Sequence, residues 1–135
     1  MAKYENFIAN LEVLKSAPEQ DLSNEFITSG IIDKFAMQFE LSWKLLKKAL
    51  EYEGVIETSI GSPRQVIKAS YSVYDFIDEA LWLDMLDDRN SAERIYDSEM
   101  AARVVEKILA TYIPAFAELQ DDLQSFYGEE LLLSF

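Results

Sequence analysis

Within nine residues, Arg89-Asn90-Ser91-Ala92-Glu93-Arg94-Ile95-Tyr96-Asp97, the chain places two guanidiniums, a carboxamide and a phenol. Arginine is the side chain suited to forked recognition of phosphates and carboxylates. Arg89 and Arg94 therefore have two readings. They can grip a phosphate, or they can pair with acidic neighbours such as Asp87, Asp88 and Asp97. From Asp75 to Glu99 nine acidic residues surround these two basic ones, so charge alone favours the ion pairs. Asp84 and Asp88, four apart, share a helix face and form the kind of carboxylate pair that can hold magnesium or move protons. No nucleophile or phosphate loop accompanies them, and no metal is expected.

Composition narrows the chemistry further. The 135 residues include 25 Asp+Glu against 12 Lys+Arg, a formal charge of −13, with no histidine and no cysteine. An imidazole base, a Ser-His-Asp triad, a thiolate nucleophile and a Cys/His metal site are all excluded. So is a di-iron bundle of the Glu-x-x-His type. No cofactor is expected, because the Walker and dinucleotide glycine patterns are absent. The acidic balance weighs against free-standing nucleic-acid binding, which rests on Lys/Arg neutralisation of phosphates. The N-terminus lacks the apolar core of a signal peptide, and no stretch of ~18 apolar residues is present to span a bilayer. A cytoplasmic protein with no membrane contact is the expectation.

Helices must position these groups. Tyr4, Phe7, Ile8, Leu11 and Leu14 repeat at helical spacing up to Ala17-Pro18. Asn24 reads as the N-cap of the longest helix, with Ile32, Phe35, Phe39, Trp43, Leu46 and Leu50 as its stripe and Gly54 at its end. Lys44, Lys47 and Lys48 suit the C-terminal dipole of that helix. A loop is expected over Val55 to Gly61. Ser62-Pro63 starts the next helix, which frays near Tyr74, and another begins near Asp78 and stops at a polar break, Asp87-Asp88-Arg89-Asn90. Asp97 or Ser98 caps the last long helix, with a kink expected at Pro114 and an end at Gly128. Beyond it the Leu131-Leu132-Leu133 tail docks on its own fold or on a partner. No strand alternation of useful length occurs. The expected architecture is all-α, one domain over residues 1–135, an antiparallel up-and-down four-helix bundle with one extra short helix.

Several of these segments resemble a known family. Arg89-Asn90, Arg94 and Tyr96 are similar to the HEPN motif, Arg-x4-His-x-Tyr with Asn often following the Arg. Phe39-Glu40-Leu41-Ser42-Trp43-Lys44, Ser62-Pro63-Arg64-Gln65 and Trp82-Leu83-Asp84-Met85-Leu86 resemble, in order, signatures of the nucleotidyltransferase substrate-binding protein family. The resemblance implies a four-helix homodimer partnered by a small separate nucleotidyltransferase, in an arrangement viewed as a two-subunit enzyme or as a toxin–antitoxin pair. In the latter the HEPN subunit is a ribonuclease silenced by nucleotidylation of the motif tyrosine, the position Tyr96 holds here. The motif histidine is Arg94 in this chain. An arginine side chain keeps its own proton and cannot accept that of a ribose hydroxyl. The reading is thus a non-catalytic subunit in which Arg89, Asn90 and Arg94 bind a nucleotide or phosphate and Tyr96 is the acceptor. Glu93 is a candidate replacement base, but on a helical turn it points elsewhere. The alternatives are an active ribonuclease toxin and a purely structural oligomer.

Overall fold

A computed structural model describes residues 3–55 and 61–135 of the chain. Among the described residues every regular element is helical. The first helix, α1 (Lys3–Lys15), ends where expected and passes through a 3-10 turn at Ala17–Glu19. The second, α2 (Glu25–Tyr52), is the longest continuous α-helix, at 28 residues. It starts at Asn24, whose side chain accepts from the amides of Phe26 and Ile27. It ends at Gly54 in a Schellman arrangement: the amide of Val55 reaches the carbonyl of Leu50, the amide of Gly54 reaches that of Glu51, and Gly54 takes φ +72°. The loop expected at Val55 to Gly61 lies, over residues 56–60, outside the described residues.

Ser62 opens α3 (Pro63–Val73) with a capping box completed by Gln65. Asp78 caps α4 (Glu79–Ser91) by accepting from the amide of Leu81. The polar run Asp87 to Asn90 does not break this helix, contrary to the sequence expectation. Asp88 and Arg89 find tertiary partners, described below, and so remain in helical backbone. A 3-10 turn, Ala92–Arg94, and an extended Ile95 then lead to α5 (Ser98–Lys107), capped by Asp97 through the amide of Met100. The chain continues through a π-helical turn, Ile108–Tyr112, into α6 (Ile113–Tyr127). Pro114 has no amide hydrogen, and its ring would crowd the carbonyl four residues back. The widened turn just before it, with the amide of Ile113 bonded to the carbonyl of Ile108, lets the rod continue.

Gly128, at φ +80°, ends α6 and starts the short α7 (Glu129–Leu133). Here Leu132 is fully buried and Phe135 nearly so, while Leu133 stays exposed, so the tail docks on its own fold. The carbonyl of Phe135 accepts from the amide of Lys3, 3.3 Å away, which ties the two ends together.

The core runs along α2. Its Phe35 stacks on Tyr112 at 5.1 Å and meets Phe116, and its Phe39 packs against Trp82. One buried cluster draws side chains from α1 through α7. A polar clasp lies inside it: Asn10 donates to the Gln38 side chain (2.8 Å) and to the carbonyl of Lys34 (3.1 Å), while Gln38 donates to the carbonyl of Phe7 (3.2 Å). Because a buried amide is costly without partners, this clasp allows one register of α1 on α2.

Candidate functional site

The last turn of α4 is held from two sides. Arg89 sends Nη2 to Glu40 Oε2 of α2 at 2.5 Å, and its guanidinium carbon lies 6.0 Å from the centre of the Phe39 ring. Glu40 also accepts from the indole of Trp43 (3.0 Å) and pairs with Lys44 (3.3 Å). Burial by itself raises the Glu40 pKa, but the Trp43 donor, Arg89 and Lys44 together hold the carboxyl below its ordinary value. The Phe-Glu-x-x-Trp-Lys and Arg-Asn segments are thus parts of one ion-pair cluster. Asn90 Oδ1 accepts from the other arm of Arg89 at 3.3 Å.

On the opposite side Asp88 pairs with Lys107 at 3.0 Å and accepts from the Tyr112 hydroxyl. The Asp88 hydrogen bond is the main reason that Lys107 is held protonated well above its ordinary range. Burial, reinforced by the Asp88 charge, pushes the Tyr112 phenol up. The pairing of Asp88 with Lys107 leaves no paired-carboxylate site with Asp84, which is exposed. Among the described residues no group of three metal-ligating side chains gathers. Asp87 faces Arg64 at 3.8 Å, and Asp97 serves as a helix cap. Neither is the partner of Arg89 or Arg94 that the sequence suggested.

Beyond Ser91 the helical hold ends. Arg94 lines a hollow of about 400 Å³ together with Asp88, Ser91, Ile95, Met100, Arg103, Val104 and Lys107. Tyr96 lines a different hollow of about 290 Å³, against Thr28, Ile32 and Asp33 of α2 and the start of α5. Ile95 borders both, and Arg89 borders neither. The single cleft expected to gather Arg89, Asn90, Arg94 and Tyr96 is therefore divided. A 3-10 turn and an extended residue follow the α-helix, and Arg94 and Tyr96, two residues apart across them, point to separate hollows. Glu93 stands exposed on that turn.

Tyr96 is 83% exposed, the most of the seven tyrosines, whereas Tyr4, Tyr74 and Tyr112 are buried. Among the described residues neither Arg94 nor Tyr96 makes a side-chain hydrogen bond or ion pair. Arg103 makes a surface pair with Glu99, at 3.3 Å. Sequence reasoning missed Glu40, Arg103, Lys107 and Tyr112. The four-residue spacing of Arg103 and Lys107 on α5 was a legible sign that both share a face. The lysines noted on α2 also converge: Lys44, Lys47 and Lys48, with Lys3 of α1, Trp43 and Glu51, line a hollow of about 360 Å³.

The family model for nucleotidyltransferase substrate binding protein like chains matches residues 1–125, and the chain belongs to this family. No curated protein matches it.

Proposed function

We propose that this chain is the substrate-side subunit of a two-part nucleotidyltransferase of the HEPN, toxin–antitoxin-like kind. It forms a homodimer, pairs with a small separate nucleotidyltransferase in the cytoplasm, and presents the Arg94–Tyr96 segment to the partner's nucleotide. Tyr96 is the observation that carries the reading: a phenol largely in solvent, next to Arg94, where among the described residues the phenol has no hydrogen bond to its own chain and the arginine no ion pair. A buried tyrosine such as Tyr112, committed to Asp88, could not serve as an acceptor.

In this reading the Tyr96 oxygen bonds to the α-phosphorus of a nucleoside triphosphate as pyrophosphate leaves. The phenol proton passes to a base on the partner. Arg94 offsets phosphate charge as the partner brings the nucleotide up to Tyr96. Arg89 contributes indirectly. Tied to Glu40 and braced by Asn90, it fixes the end of α4 from which the segment departs. No ribonuclease step is assigned, because an arginine stands where the motif has its histidine and the sequence supplies no imidazole. The acidic surface favours association with a more basic partner, chiefly through the on-rate.

Co-expression with the nucleotidyltransferase encoded beside it tests the reading. The two chains are expected to co-purify, and Arg94→Ala is expected to leave the complex intact while slowing transfer to Tyr96. Separate elution of the two chains at micromolar concentration would overturn the proposal. Cleavage of RNA by the purified chain in metal-free buffer would favour the ribonuclease reading instead.

A further inference from the structure

We infer that the lysine hollow beside the C-terminal half of α2 is a site for a compact inorganic oligophosphate, held by Lys3, Lys44, Lys47 and Lys48. The inference does not rest on the reading above. Lys47 lies roughly 20 Å along α2 from Asp33 of the Tyr96 hollow, at a helical rise of ~1.5 Å per residue.

With 25 acidic residues in the chain, carboxylates are plentiful, and among the described residues seven of the 12 cationic side chains make an ion pair. Of the other five, three line this one hollow: Lys3, Lys47 and Lys48. Like charges gathered in a small space repel unless an opposite charge sits among them. The helix dipole does not account for the cluster. Its effect is confined to the last turn, and the last turn of α2 carries no basic residue. Lys44 pairs with Glu40, but Glu40 is also held by Arg89 and by the indole of Trp43. The Lys44 amine can therefore turn into the hollow without leaving Glu40 alone.

The lining selects the ligand. Trp43 is its one apolar side chain and is only 7% exposed, so no flat wall is offered to a nucleobase. Ammonium groups are compact point charges, which suit phosphate oxygens without the forked geometry that favours arginine. Glu51, on the same wall, opposes any anion, so a singly charged ligand gains little. An oligophosphate carries several charges on adjoining phosphorus atoms, and it fits within about 360 Å³. A polynucleotide would run out of the hollow along a chain of formal charge −13, where the counter-charge it requires is missing.

Calorimetric titration of the isolated full chain, in metal-free buffer with no phosphate, tests the site. Inorganic triphosphate is expected to bind. Lys47→Gln and Lys48→Gln are each expected to weaken it about ten-fold, the loss of one charge-assisted contact. Lys48 is exposed, so its variant removes a charge without disturbing the core. Lys34→Gln changes the net charge equally at a place outside the hollow and is expected to leave binding unchanged. Three results would overturn the inference. One is no binding of triphosphate at millimolar concentration. Another is an equal loss in Lys34→Gln and Lys48→Gln, the mark of net charge alone. The third is ATP or a single-stranded oligoribonucleotide binding at least about ten-fold more tightly than triphosphate and losing that binding in Lys48→Gln. All three concern the chain without its partner, so failure of this site and failure of the nucleotidyltransferase pairing are separable.

Discussion

The α1–α2 seam and the α4–α5 connection both carry polar side chains at fixed places, and they fix them by opposite means. In the seam Asn10 and Gln38 are buried and joined to each other and to backbone carbonyls. In the connection Arg94 and Tyr96 stand in solvent, on a 3-10 turn and an extended strand of chain, without partners among the described residues. Arg89, between the two, is held like the seam. A motif that reads as one unit in the sequence therefore folds into a structural half, Arg89-Asn90 at the end of α4 with Arg89 tied to α2, and an open half, Arg94 to Tyr96. Polar groups whose partners lie within the chain build the fold. Those left unpartnered beside a hollow are the candidates for recognition of something outside it.

The largest effect on this contrast should come from the core under both regions. Phe35→Ala removes a fully buried ring stacked on Tyr112 and is expected to cost about 3–5 kcal/mol in denaturant unfolding. Gln38→Ala, which strips the buried Asn10 donor of its side-chain acceptor, is expected to cost about 1–3 kcal/mol. Glu40→Gln comes next, since Arg89 and Glu40 are each about a third exposed, at 31% of their side-chain area. A loss of about 1–2 kcal/mol is expected near neutral pH, below the full range for buried charged hydrogen bonds because solvent screens the pair.

Glu40 also sets a pH signature. Its folded pKa is depressed from the ordinary 4.5, so its stabilisation is present above that value and is lost as pH falls through the folded value. Thermal melts should show the wild-type advantage over Glu40→Gln fading below about pH 4.5, and an advantage independent of pH would count against the pair. Combining Glu40→Gln with Arg89→Gln should cost less than the sum of the single changes, because the second change removes the charge that the first leaves unpaired. The smallest stability effect belongs to the open half. Tyr96→Phe and Arg94→Gln are each expected to move unfolding by no more than about 0.5 kcal/mol. A larger loss in either would erase the distinction between the halves.

The sequence announced whatever is settled locally. Asn24 and Ser62 cap the helices they were expected to start, Asp97 takes the cap that was expected at it or at Ser98, the helix expected near Asp78 begins there, and Gly54 and Gly128 end theirs at positive φ. The contacts made across long separations were not legible. Glu40 lies 49 residues from Arg89, and Asp88 lies 24 from Tyr112. Without those partners the acidic run at Asp87 to Asn90 looks like an exit to solvent, whereas it is helix. The same blindness made Arg89 a ligand candidate equal to Arg94. A linear pattern gives spacing along the chain but not the carboxylate that another helix brings to meet a guanidinium.

Peptide mapping by mass spectrometry, after incubation of the chain with its nucleotidyltransferase and ATP, tests the central claim most directly. The account predicts one nucleotidyl adduct, on Tyr96, absent in Tyr96→Phe although that variant remains folded and bound to the partner. An adduct on another tyrosine, or an unmodified chain within an intact complex, would contradict it.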